Sequence, residues 1–132
     1  MWNSPSQAYY RCDDMFSGQG AGCVFPNFAP TLTTMTNMKD IAANIRKAQA
    51  GPGHYGEPGK GHPLHYLANK KQQTKNYNAV CSRRAKGGPP PAGKSCDEYP
   101  FKTTYEGGTT LSARNRSTAY VPIPSRTARV PT

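Results

Sequence analysis

Asp97, Glu98 and Glu106 are three of only seven acids in a chain whose formal net charge is +10. Acids gathered in one short window of so basic a chain suit two kinds of chemistry. One is ligation of a hard cation such as Mg²⁺ or Mn²⁺, the other is removal of a proton from water. Asp97 and Glu98 are adjacent, so on an extended backbone their side chains leave opposite faces and take different roles. Asp97 directly follows Cys96, whose crosslinking would hold it rigidly. Glu106 precedes Gly107-Gly108, a hairpin-like turn expected to return it to the same site. His54, His62 and His65 suggest zinc, but Pro63 interrupts the helical face that such ligands use and no Cys-x-x-Cys knuckle exists. Lys60 and His62 lie in a Gly-rich loop without the Walker pattern.

The elements that must position these residues are short. A helix is expected from Met38 to about Ala50, with Asn37 as N-cap and Asp40 completing a capping-box-like pair. Its inward stripe is Met38, Ile41, Ala42, Ile45 and Ala48, with Lys39, Asn44, Arg46 and Lys47 elsewhere, and Gly51-Pro52 stops it. Strand character is expected at Tyr9–Cys12, Cys23–Phe25, Thr31–Thr34 and Thr118–Val121, and a short turn or strand at Leu64–Leu67. The segment 70–76 is strongly polar: its lysines form either a phosphate-facing edge or a solvated face. Arg83, Arg84 and Lys86 form a second basic cluster, in the loop before Cys96.

Thirteen Gly, thirteen Pro and a hydrophobic content of 35% predict a modest core with long loops, which usually needs staples. Four cysteines allow three pairings. Closing the two local Gly- and Pro-rich loops favours Cys12–Cys23 and Cys81–Cys96, each bridge contributing about 2–3 kcal/mol. Disulfides imply an oxidising compartment, so a secreted, extracellular protein is expected. No apolar run is long enough to span a bilayer, and Met1-Trp2-Asn3-Ser4 does not begin a signal peptide. Either a leader has been removed or the chain is a domain of a longer secreted protein. The positive charge favours a polyanionic partner, nucleic acid first, with anionic lipid or cell-wall polymer behind it.

The string Cys96-Asp97-Glu98-Tyr99-Pro100-Phe101, followed at fixed distance by Glu106-Gly107-Gly108, resembles the signature of the NucA/NucB deoxyribonucleases, with Lys102 where a small residue is common. Arg11-Cys12-Asp13, Gly22-Cys23-Val24-Phe25-Pro26, Ala48-Gln49-Ala50 and Gly61-His62-Pro63-Leu64-His65 are similar to actinobacterial-type members, so the resemblance covers about residues 11–121. It implies an α+β fold with a small ββα-metal (His-Me finger-like) core. The implied activity is a secreted, Mg²⁺- or Mn²⁺-dependent DNA endonuclease, either a free enzyme or a toxin tip with an inhibitor or immunity protein. A monomer that does not engage membranes is expected. Asp97 would be the general base where most such nucleases use histidine. Glu98 would support it, and Glu106 would belong to the framework of the site. Tyr99, Pro100 and Phe101 would anchor the strand. Arg114 or Arg116 would contact the scissile phosphate, and Arg83, Arg84 and Lys86 neighbouring DNA.

The expected organisation is an irregular segment 1–22, a nuclease domain 23–121 and a disordered tail 122–132. Family members continue past the Tyr-Val strand into a helix bearing an asparagine metal ligand. Here Pro122-Ile123-Pro124 follow, and the last asparagine is Asn115, so that helix is expected to be missing and activity impaired. The alternatives are a non-catalytic basic DNA-binding module and a disulfide-stapled surface protein.

Overall fold

A computed structural model describes residues 11–14, 18, 20–24 and 29–123. The chain divides into two compact units, Met1–Leu32 and Thr33–Thr132.

The first unit holds an antiparallel pair, β1 (Arg11–Asp13) and β2 (Gly22–Val24), in the register Arg11↔Val24, Cys12↔Cys23, Asp13↔Gly22. Cys12 and Cys23 are opposite one another and are joined by a disulfide. Tyr9, Tyr10 and Phe25, the remainder of the expected strands, lie outside the described residues. Thr31–Thr34 forms no strand, contrary to its β-branched composition. All four residues are exposed, Leu32 at 74%, and no strand among the described residues pairs with them. Propensity without a partner surface does not make a strand.

The second unit is a small mixed α/β structure. Its elements are α1 (Lys39–Gln49), α2 (Lys70–Cys81), α3 (Arg83–Lys86), β3 (Lys94–Tyr99), a 3₁₀ turn (Ala113–Asn115) and β4 (Ser117–Pro122). β3 and β4 are antiparallel, paired from Lys94↔Pro122 to Tyr99↔Ser117. Opposed residues share a face, so Asp97, Tyr99, Ser117 and Ala119 look one way and Cys96, Glu98, Thr118 and Tyr120 the other. Asn44 and Gln49 of α1 hydrogen-bond to Asp97 and Tyr99, which places α1 on the first face. Cys81 of α2 and Lys86 of α3 meet Cys96 and Thr118, which places α2 and α3 on the second.

α1 follows its expected span with three corrections. Asn37 is not the cap: it takes a left-handed φ of 67°, which asparagine tolerates, and Met38 caps the helix without a side-chain bond. Met38 is 46% exposed rather than inward. Asn44 is buried, because Asp97 waits opposite with an acceptor for its amide. Ala48 is buried as expected, and Ile41, Ala42 and Ile45 are half-buried.

α2 extends well beyond the polar segment recognised in the sequence. Asn69 caps it by accepting from the Gln72 amide at 3.0 Å. Its inward side chains are Gln73, Asn76 and Cys81, two of them polar. Gln73 donates to the Leu67 carbonyl at 2.7 Å, and Asn76 to the Lys102 and Thr104 carbonyls, each at 3.1 Å. The basic cluster 83–86 is a single helical turn rather than a loop. Ser82 Oγ caps it by accepting from the Ala85 amide, and Gly87 closes it in the left-handed region. The segment 64–67 runs beside 103–105 through a Tyr66↔Thr104 bridge, burying Leu67.

The described core is small, as the composition predicts. Ala48, Leu67, Cys81, Cys96, Tyr99, Pro100 and Val121 are buried, together with five polar residues. The Cys81–Cys96 disulfide ties α2 to β3. The sequence after Ile123, where the expected loss of the family's metal-bearing helix would be seen, lies outside the described residues.

Candidate active site

β3 fixes both acids of the central string. Asp97 is half-buried between its own strand and α1. The Asn44 amide donates to Asp97 Oδ2 at 2.8 Å and to the Asp97 carbonyl at 3.3 Å, clamping side chain and backbone together. Asp97 Oδ1 has no hydrogen-bond partner among the described residues. Burial pushes the Asp97 carboxyl above its ordinary value, and the Asn44 bond opposes that rise by favouring the charged form. The result is a carboxylate held in one rotamer with one oxygen free, in an environment that makes it a stronger base.

Glu98 faces the other side of the sheet. Its Oε1 accepts from the Lys102 amide at 3.2 Å. Cys81 Sγ lies 3.8 Å from Oε2, a packing contact, since a disulfide sulfur has no proton to donate. Burial raises the Glu98 carboxyl, the Lys102 amide pulls it down, and the Asp97 charge adds to the rise.

Glu106 is engaged elsewhere. Its Oε2 accepts from the His65 amide at 2.9 Å, and its Oε1 lies 2.7 Å from His65 Nδ1. Burial alone would raise its carboxyl, but the His65 bonds outweigh it and hold the group below the usual range. Glu106 thus clamps the 64–67 segment. The following Gly108 has φ +67°, and a Cβ there would press on the Asn76 backbone, so both chirality and space demand glycine.

The tyrosine of the anchor is held from three sides. Tyr99 OH donates to the Tyr55 carbonyl at 2.9 Å and accepts from Gln49 Nε2 at 3.1 Å. Gly56, at φ +72°, lies so close to that hydroxyl that a Cβ would collide with it. Burial raises the Tyr99 phenol, with the Gln49 bond opposing.

The basic residues separate into two groups. Arg83, Arg84 and Arg114 are exposed. Lys86 and Arg116 are half-buried on the Glu98 face. Lys86 Nζ donates to Thr118 Oγ1 at 2.8 Å and lies 5.3 Å from the Tyr120 ring centre. Arg116 Nε is buried without an acceptor, one of three such side-chain atoms among the described residues, with Asn44 Oδ1 and Ser117 Oγ.

The histidines serve separate local contacts. His54 pairs with Glu57 at 2.8 Å, His62 Nδ1 lies 2.6 Å from the Gly53 carbonyl, and His65 meets Glu106. Among the described residues no three His, Cys, Asp or Glu side chains converge as a metal would require. Asp97 and Glu98 diverge across the sheet, and Glu106 is occupied by His65. The donors present therefore do not fit an all-protein metal cage.

Asn44 is the residue that sequence reasoning passed over. It lies three residues after Ile41 and four before Ala48, so helical spacing alone put it on the inward stripe. A polar residue at an inward position signals a buried partner, which here is Asp97.

Residues 56–127 match the family model described as deoxyribonuclease NucA/NucB. That span contains both β3 acids, Glu106 and the Cys81–Cys96 bridge, whereas Asn44 and the β1–β2 pair lie ahead of it. No curated protein and no solved structure matches the chain.

Proposed function

The chain belongs to the deoxyribonuclease NucA/NucB family, and from that premise we propose that it is a secreted DNA endonuclease with Asp97 as its general base. The observation that supports this most directly is the Asn44–Asp97 contact. It occupies Oδ2 with one hydrogen bond, ties the Asp97 carbonyl with a second from the same buried amide, and leaves Oδ1 without a partner among the described residues, available to take a proton from water. A base held this way loses little entropy on reaching the reactive geometry.

In this reading water gives its proton to Asp97 Oδ1 as its oxygen bonds to phosphorus, the opposite phosphorus–deoxyribose oxygen bond breaks, and the departing oxygen takes a proton from solvent. Arginine is suited to the charge that builds on the phosphate oxygens, and Arg114, exposed in the 3₁₀ turn before β4, is the one left for that role, since Arg116 lies on the Glu98 face. Glu98 ties its strand to the Lys102 amide, and Glu106 ties the following loop to His65. Both act on the shape of the site. Arg83 and Arg84, exposed on α3, offer further contacts to the DNA backbone. A requirement for Mg²⁺ or Mn²⁺ is part of the same proposal and rests on the family. No ligand is assigned to it.

Secretion is supported by two disulfides, which persist in oxidising compartments. No helix among the described residues is long and apolar enough to cross a membrane.

The test is supercoiled plasmid incubated with the protein and Mg²⁺ or Mn²⁺, with EDTA and Asp97→Ala as controls. Nicking and linearisation that both controls abolish is the expected result. Plasmid that is bound but uncut by wild type, with the same salt-sensitive affinity in Asp97→Ala, would replace the endonuclease by a basic DNA-binding module.

A further inference from the structure

On the face of the β3–β4 sheet opposite Asp97 lies a cavity of about 350 Å³, bounded by the end of α2, by α3 and by the turn at Gly108-Thr109. Lys86, Arg116 and Glu98 are the charged residues lining it, so cations outnumber acids two to one. Thr109 and Thr118 also line it and bring hydroxyls. The polar balance is uneven. Arg116 Nε is a buried donor with no acceptor among the described residues. One of the Glu98 oxygens is already taken by the Lys102 amide, and no salt bridge pairs Glu98 with Arg116. A buried guanidinium N–H left unsatisfied costs about 1–3 kcal/mol, so Arg116, which lines the cavity, is short of an acceptor.

The acceptor that best suits a forked guanidinium beside an ammonium is an oxyanion. Phosphate alone would leave most of the volume empty, whereas the space is at the lower end of that used by small-molecule ligands. Val80 supplies apolar wall beside the charged end, fit for a sugar or base.

We propose that this cavity is a phosphomonoester site, separate from the Asp97 centre, in which Arg116 and Lys86 hold the terminal phosphate of a nucleotide. The phosphate part stands on the cavity's own chemistry, and the nucleotide part rests on the endonuclease reading. A DNA strand end and a free mononucleotide present the same phosphomonoester. The site would retain a cut end, or its small product, on the sheet face away from the reacting centre.

The experiment is titration of the ¹⁵N-labelled chain, followed by NMR, with thymidine 5′-monophosphate, thymidine, and a short oligonucleotide with or without a 5′ phosphate. The monophosphate should shift the Arg116 Nε–Hε resonance and the Thr109 and Thr118 amides, and thymidine should not. Arg116→Gln should weaken monophosphate binding about tenfold or more. Thr109→Val, at an exposed position, should weaken it about two- to tenfold with the spectrum otherwise unchanged. Arg46→Gln, an exposed cation on α1, should leave it unaltered. Tighter binding of the phosphorylated oligonucleotide than of the monophosphate would assign the site to strand ends, and equal binding to free nucleotides. Both support the site. Equal shifts from thymidine, indifference of the oligonucleotide to its phosphate, or equal weakening by Arg46→Gln would overturn it. Monophosphate binding without plasmid cleavage would refute the nuclease and leave the site, and cleavage without monophosphate binding would do the reverse.

Discussion

Replacing Asn44 by alanine tests the link between α1 and the proposed base. The substitution removes a charge-assisted hydrogen bond of 2.8 Å to Asp97 Oδ2, and such bonds contribute about 1.5–3 kcal/mol. It also removes Asn44 Oδ1, a buried acceptor without a partner, which returns about 1 kcal/mol or more. The net loss of stability is therefore expected to be small, about 1–2 kcal/mol by urea unfolding. The effect on Asp97 should be larger than the effect on the fold. Its ionised form loses the one hydrogen bond that opposes burial, so its carboxyl rises further. In Asn44→Ala the acid limb of the cleavage profile should move to higher pH, with about tenfold or more lost on that limb. The ¹³C carboxyl resonance of Asp97 should titrate later than in wild type. An unmoved Asp97 titration in a variant that still folds would show that Asn44 does not act on the base, and the reasoning about the clamp would fail.

Three further outcomes follow from the same geometry. Removing the Cys81–Cys96 bridge by double serine substitution should cost about 3 kcal/mol for its separation of 15 residues, seen as a lower urea midpoint. Glu106 has a lowered carboxyl, so its stabilising contribution is present above the unfolded value of 4.5 and is lost as pH falls through the folded value. Glu106→Gln should accordingly flatten the acid limb of stability, and an unchanged limb would remove His65 as its partner. Gly108→Ala forces a Cβ against Asn76 at positive φ and should cost about 1–3 kcal/mol, measured by thermal unfolding.

The parts of this fold that follow simple rules could be read from the residues alone. Strand alternation was enough to send Asp97 and Glu98 to opposite faces, and local loop closure was enough to pair the four cysteines. α1 showed itself through Ile41, Ile45 and Ala48. α2 did not, because the positions it buries are Gln73 and Asn76, whose carboxamides satisfy the carbonyls of Leu67, Lys102 and Thr104. Hydropathy treats such residues as solvent-facing, whereas a small core with long loops uses them to satisfy backbone groups that no strand pairs. Asn44 escaped for the same reason. The Lys86–Arg116 cavity escaped for another: it joins α3, the 108–109 turn and β4, which only the folded chain brings together.

The Cys81–Cys96 crosslink also governs which way the acids look. A strand that slips by one position against its neighbour turns every side chain over. Such a slip in β3 would hand Glu98 to the Asn44 side and deliver Asp97 to the Arg116 side. Cys96 is the residue immediately before Asp97, and its tether to α2 opposes such a slip. Under reducing conditions that restraint is absent. Without it, the bearing of Asp97 and Glu98 would rest on the six β3–β4 pairings alone.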